Sequence, residues 1–176
     1  MDAPQTRQVI RANRSRPATA PAPGKSAPPT ELLPDRVLLA DDSFPMLELM
    51  GSLLQNCGVA NVYPVNCGSA AIEFLYNAVQ PVDCVIADLD MPMGTGLNLL
   101  QTIRAGVIRK VRPDMCVILF SGLWTAESLK LSRQLDVNGV LAKPFSPAKL
   151  RDELVAARRR VFPLDFPRYR GVLLPS

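Results

Sequence analysis

The chain has 176 residues, 48% of them apolar, which is enough for one domain with extensions and a full hydrophobic core. Its net charge of +4 is uneven: residues 1–34 carry five basic and two acidic side chains, 158–176 carry five and one, and 35–157 carry ten and thirteen, so an acidic body lies between basic ends. The absence of histidine excludes a histidine nucleophile, base or metal ligand and argues against zinc, and no apolar run approaches the roughly 20 residues of a membrane span.

Residues 1–34 hold seven of the seventeen prolines, with Ala, Ser and Thr between them. Such a segment buries too little surface to offset its ordering entropy, so a disordered basic arm is expected, with a transient helix at most over Thr6–Asn13. The arginines there precede no apolar stretch, so the start does not read as a secretory signal. From Asp35 the pattern changes. "RVLLA" (36–40) predicts a strand. "FPMLELMGSLLQNCG" (44–58) has helical periodicity, with Ser43 placed to cap it, Pro45 in its first turn and Gly58 at its end. "NVYPV" (61–65) predicts a strand that Pro64 confines to a sheet edge. Helix 69–79 follows, then "DCVIAD" (83–88), a strand with too little alternation to have a wet face. Helix 96–106, strand 115–121, helix 125–135 and strand 139–144 come next. Ser146 and Pro147 then open a helix reaching Phe162. The remaining residues, within the basic aromatic tail 158–176, are too few for an output domain. Docking of that tail on the parent domain is the preferred reading, because Val161, Phe162, Phe166 and Leu173-Leu174 are costly to leave in water. Cys57, Cys67, Cys84 and Cys116 form no C-x-x-C pair and sit in or beside apolar elements, as reduced core thiols of a cytosolic protein would.

Five strands alternating with five helices predict an α/β fold, a doubly wound parallel sheet with helices on both faces. Ligands bind such folds at the carboxyl ends of the strands. Those ends carry Asp41 and Asp42, Asp88 and Asp90, Ser121, and Lys143. Three carboxylates within ~5 Å repel by about 3 kcal/mol per pair at an effective dielectric near 20, and a divalent cation relieves that. Oxygen-only donors select a hard ion, Mg²⁺ first, then Mn²⁺ or Ca²⁺. With a lysine ammonium and a serine hydroxyl beside it, such a rim cradles a phosphoryl group, and with no Cys or His there the nucleophile is an aspartate. Taken singly these residues have plainer readings: Asp41-Asp42 as a charge cluster at a helix N-terminus, Lys143-Pro144 as a surface lysine before a turn, Ser121 as a cap on the next helix.

Taken in order, the motifs resemble a known family. The acidic pair Asp41-Asp42 ends the first strand, D-x-x-M-P-x-x-x-G runs from Asp88 to Gly96, Ser121-Gly122 ends the fourth strand and Lys143-Pro144-Phe145 ends the fifth. Together these resemble the receiver domain of two-component response regulators, over about residues 35–157. The resemblance implies a flavodoxin-like sheet with strand order 2-1-3-4-5. It implies that Asp88 accepts a phosphoryl group from a histidine on a sensor kinase or phosphotransfer protein. Asp42 and Asp88 would bind Mg²⁺ directly, Asp41 through water, and Asp90 through its backbone carbonyl. Ser121 would move toward the phosphoryl group and Lys143 would pair with it, with a cis peptide before Pro144. A cytoplasmic stand-alone switch is implied, acting on a downstream protein target, with pairing of two copies through a helical face as a further option and without nucleic acid or membrane insertion.

One position departs from the family pattern. An aromatic residue usually stands three before the lysine and rotates inward when the hydroxyl moves, and here that position is Val140, which has no ring and is stiff at χ1. The state would then be reported elsewhere, as by Leu123 and Trp124 in the 122–127 loop, although Trp124 also reads as simple packing. Two other readings compete: a phosphorylation-independent scaffold on the same fold, which Val140 favours, and a haloacid-dehalogenase-type phosphatase, which "DLD" (88–90) resembles. The receiver reading makes the chain no turnover enzyme. The basic ends carry neither a recognition helix nor a base-stacking platform.

Overall fold

The computed structural model describes residues 33–175. The arm read over 1–34, including Thr6–Asn13, lies outside the described residues except for its last two positions. Strands β1 (Arg36–Ala40), β2 (Asn61–Val65), β3 (Cys84–Asp88), β4 (Cys116–Ser121) and β5 (Gly139–Ala142) alternate with helices α1 (Phe44–Cys57), α2 (Gly68–Asn77), α3 (Gly96–Arg104), α4 (Ala126–Gln134) and α5 (Pro147–Arg159), and α6 (Phe166–Gly171) follows. The strands form one parallel sheet in the order β2-β1-β3-β4-β5, as expected.

The sheet has no wet face at its centre. β3 and β4 are buried at every position, and successive side chains go to opposite layers. Leu38, Val85, Val117 and Leu119 meet residues of α2, α3 and α4 such as Leu75, Leu99 and Leu131. Leu39, Ile86, Ile118 and Phe120 meet Met50 and Leu54 of α1 and Leu150 and Leu154 of α5. Each such aliphatic side chain contributes roughly 1.5–3 kcal/mol by leaving water. Pro64 lies opposite Leu39 on the edge strand β2, where the missing N–H leaves no ladder bond unmade.

Thr95 and Thr125 open α3 and α4 with capping boxes, and Ser146 Oγ accepts from Lys149 N at the start of α5. Ser43 behaves differently from the sequence expectation. It holds the N-cap position of α1 but makes no side-chain cap, and its amide instead donates to Asp41 Oδ1 at 2.8 Å. β5 stops at Ala142, so Lys143 stands just beyond the strand.

The end of the chain also differs. α5 stops at Arg159 instead of reaching Phe162, and a helix absent from the sequence reading, α6, follows Pro163. Its N-cap is Asp165, whose side chain accepts from Arg168 N, and Pro167 fills its first turn. The segment lies on α3. Tyr169 is fully buried and its hydroxyl donates to Asp136 Oδ2 at 2.8 Å. Gln101 Nε2 donates to the carbonyls of Tyr169 and Val172 at 2.9 and 2.8 Å.

Beneath this tail Arg104 is completely buried with no carboxylate partner among the described residues. Its guanidinium donates to the carbonyls of Pro113 (2.7 Å), Met115 (3.0 Å) and Asp136 (3.0 Å) and to Asn138 Oδ1 (2.6 Å), and its cationic carbon sits 4.7 Å from the centre of the Phe162 ring. Burial pulls its pKa down to about 10. All four cysteines are free and buried. Cys84 and Cys116 are register partners with sulfurs 3.3 Å apart, and donation to Cys116, then burial, raises the Cys84 thiol well above its ordinary range.

Candidate functional site

Three strand ends meet at the carboxyl rim. Asp88 ends β3, Asp41 follows β1 and Lys143 follows β5. The parallel register sets β1 beside β3 and β5 beside β4. The backbone amide of Lys143 donates to Ser121 O at 2.8 Å, which fixes where its side chain starts. From there Lys143 Nζ donates to Asp88 Oδ1 at 2.5 Å and to Asp41 Oδ2 at 3.0 Å, and lies 4.4 Å from the centre of the Phe120 ring. The peptide between Lys143 and Pro144 is cis. The other oxygen of Asp88 accepts from the Asp90 amide at 2.7 Å.

The electrostatics follow from burial. Asp41 is 1% and Asp88 6% exposed. Burial raises the Asp88 carboxyl above its ordinary range, and the hydrogen bonds from Lys143 and the Asp90 amide offset this only in part. Burial pulls the Lys143 ammonium down, but its hydrogen bonds to Asp88 and then Asp41 outweigh that and leave its pKa raised.

The cluster is therefore two carboxylates on one ammonium rather than the expected triad. Asp42 is exposed and makes no hydrogen bond or ion pair among the described residues. Asp90 is also exposed, and its contact with Asp88 is made by its amide. Among the described residues, no three acidic or cysteine side chains are grouped as they would be around a metal ion. The donor set still fits a hard cation. Every side-chain donor at the rim is oxygen, two adjacent carboxylates are held by one lysine, and Asp42 adds a third next to Asp41 in the chain.

Ser121 is 1% exposed, and its hydroxyl accepts from Leu123 N and donates to Leu123 O, both at 3.0 Å. It does not cap α4, because Thr125 does. The next residue, Trp124, sends its indole N–H to Leu141 O on β5 at 3.0 Å. That bond was invisible in the sequence, as was the role of two glycines. A Cβ on Gly96 would lie 2.4 Å from Asp88 O and 3.0 Å from Leu119 Cδ2, and one on Gly68 would lie 2.0 Å from Gly94 O. Helices α3 and α2 thus start in contact with the Asp88 strand and the loop after it. Gly96→Ala is expected to force α3 off β3 and cost about 1–3 kcal/mol, measured as a lowered urea midpoint. An unchanged midpoint would show that the contact is soft.

Residues 37–155 match the family described as the response regulator receiver domain. The chain belongs to that family. The receiver is 30% identical to chemotaxis protein CheY-3 of Vibrio cholerae over 119 residues, covering 68% of this chain and 88% of that protein. It is 27% identical to chemotaxis protein CheY of Pseudomonas aeruginosa over 126 residues, covering 72% and 98%. Among solved structures it is similar to the receiver domain of a sensor histidine kinase from Pseudomonas aeruginosa that has a magnesium ion coordinated in its active-site cleft. That similarity is 25% in sequence with a TM-score of 0.56, over 70% of this chain and 97% of the other. Receiver domains are signalling proteins rather than turnover enzymes on external substrates, which sets the phosphatase alternative aside. No helix among the described residues is long and apolar enough to cross a membrane.

Proposed function

We propose that this receiver is a cytoplasmic phosphorylation switch that takes a phosphoryl group onto Asp88 from a histidine of a sensor kinase or phosphotransfer protein and signals through protein contacts. The observation that carries the reading is Lys143 Nζ bonded to both Asp88 and Asp41 at the strand ends. A carboxylate oxygen of Asp88 would form the O–P bond while the P–N bond to the donor imidazole breaks, its electron pair staying on nitrogen. The product is an acyl phosphate on Asp88. Lys143 is placed to trade its Asp88 contact for a phosphoryl oxygen, and Asp41 holds the ammonium in place while it does so. Mg²⁺ would be held by Asp42 and Asp88 directly, by Asp41 through water and by the Asp90 carbonyl, with Mn²⁺ as a substitute. It would neutralise charge as the phosphoryl group approaches. Mass measurement after incubation with acetyl phosphate and Mg²⁺ tests the reading, and a chain that gains no phosphoryl mass would overturn it in favour of the phosphorylation-independent scaffold.

The loop after β4 supports a specific reporter. For Ser121 to donate to a phosphoryl oxygen it must release Leu123, and Trp124 is the next residue, bridged to β5 beside Val140. Tryptophan emission is therefore expected to shift on treatment with acetyl phosphate and Mg²⁺ in the native chain but not in Asp88→Asn. Identical spectra before and after full phosphorylation would remove Trp124 from the relay.

A further inference from the structure

The opposite end of the sheet carries a feature that the rim chemistry does not use. A cavity of about 860 Å³ opens at the amino-terminal ends of β3 and β4. Leu75, Val82 and Met115 contribute its apolar lining, and Lys110, Arg158 and Arg160 stand exposed among its lining residues. A smaller cavity of about 470 Å³, lined by Tyr63, Phe74 and Val79, adjoins it across residues 77–80. Val79, 99% exposed, belongs to both.

The charge there is unbalanced. Of the two acids lining the larger cavity, Asp83 accepts the amides of Asp35 and Arg36 at 3.1 and 2.9 Å, and Asp114 is held by Arg112 at 2.7 Å. Lys110, Arg158 and Arg160 form no ion pair among the described residues. The wall beneath them is stiff. Arg104 grips Pro113 and Met115, while Asn138 donates to Ala157 O at 3.3 Å and accepts from Val117 N at 2.9 Å. These bonds tie the end of α5, where Arg158 begins, to the start of β4. A binding surface held this way loses little entropy when filled.

We propose that this groove docks an acidic segment of a partner protein, its carboxylates on Lys110, Arg158 and Arg160 and an apolar side chain in the cavity. The charge selects an anionic occupant. The concave shape with an apolar lining suits a polypeptide better than a lipid surface. Among the described residues no aromatic ring lines the larger cavity, where the cations stand, and Tyr63 and Phe74 line only the smaller one, so the cationic part offers no platform for stacking a base. The chain's own residues 1–34 carry five basic and two acidic side chains, a net charge of the wrong sign to complement the groove. The groove and Asp88 lie at opposite ends of the strands, so a partner can be held there while the rim stays open to a phosphodonor.

The test is fluorescence anisotropy of the full chain with a labelled peptide of glutamates interspersed with leucines. Controls are the same peptide with serine for leucine, a single-stranded RNA, and anionic phosphatidylglycerol vesicles. The Glu/Leu peptide is expected to bind best, and Lys110→Glu/Arg158→Glu/Arg160→Glu is expected to weaken it by about tenfold or more. Asp88 labelling by acetyl phosphate is expected to be unchanged in that variant, so failure here is separable from failure of the switch reading. If the reversal variant loses its thermal transition, the Gln triple variant is measured instead. No binding, equal binding of the serine peptide, preference for RNA or vesicles, or self-association that the substitutions abolish would each overturn the proposal.

Discussion

Asp88→Asn is expected to abolish the mass gain of one phosphoryl group that the proposed switch predicts for the native chain with acetyl phosphate and Mg²⁺. A carboxamide is a poor nucleophile and yields no acyl phosphate, whereas the fold should persist because Lys143 keeps its bond to Asp41. Lys143→Ala removes the cation facing the incoming charge and should slow labelling by about 10²–10³-fold, the range seen when one electrostatic contact to a developing charge is deleted. Chelation of Mg²⁺ should have an effect at least as large, on the order of several kcal/mol of barrier. Two controls separate the acids. Asp42→Asn is expected to raise the Mg²⁺ concentration needed for half-maximal labelling. Asp90→Asn is expected to leave labelling possible, because the contact with Asp88 comes from the Asp90 backbone amide, which the substitution retains. A labelled Asp88→Asn protein would move the acceptor to another residue and end the assignment.

Arg104→Ala is expected to cost about 3–5 kcal/mol and to lower the melting temperature by roughly 10–20 °C. The substitution removes a guanidinium that satisfies the carbonyls of Pro113, Met115 and Asp136, and it leaves a void under Phe162. Buried acceptors stripped of their donor lose their hydrogen bonds without regaining water. Arg104→Lys should recover only part of the loss, since three donors on a flexible stem do not reproduce a planar fork of five. The tail is coupled to the same network, so limited proteolysis after Arg160 should accelerate in Arg104→Ala. A thermal transition within about 2 °C of the native chain would mean that water replaces the guanidinium at little cost.

Legibility in the sequence tracked locality. The apolar runs "DCVIAD" (83–88) and "MCVILFS" (115–121) announced strands buried on both faces, and β3 and β4 within them occupy the centre of the sheet. Pro64 announced an edge strand by its missing donor, and Ser146-Pro147 announced the start of α5. α6 escaped because six residues with two prolines nearby carry no periodicity; it is a helix because Asp165 caps it and α3 receives Tyr169. Arg104 lies in the last turn of a helix, a place where arginine is normally wet, and nothing local marks it as buried. Ser43 read as a cap because serine at that position usually is one, but Asp41 takes its amide.

The residue pattern by itself determined the succession of the five strands and of α1 to α5, the two apolar layers and the concentration of Asp41, Asp42, Asp88, Asp90, Ser121 and Lys143 at one set of strand ends. Each of these follows from side-chain period and from parallel strands sharing a direction, which neighbours along the chain suffice to specify. The tertiary structure alone decided that Lys143 joins Asp41, 102 residues away, as well as Asp88, while Asp42 stands free of ion pairs among the described residues. It also decided that Gln101 takes the carbonyl of Val172, 71 residues on, and that Arg104 is solvated by backbone carbonyls instead of water. The reason is that a charge or amide selects its partner from whatever packing brings within about 3 Å, and those partners come from segments whose separation along the chain is set by the fold.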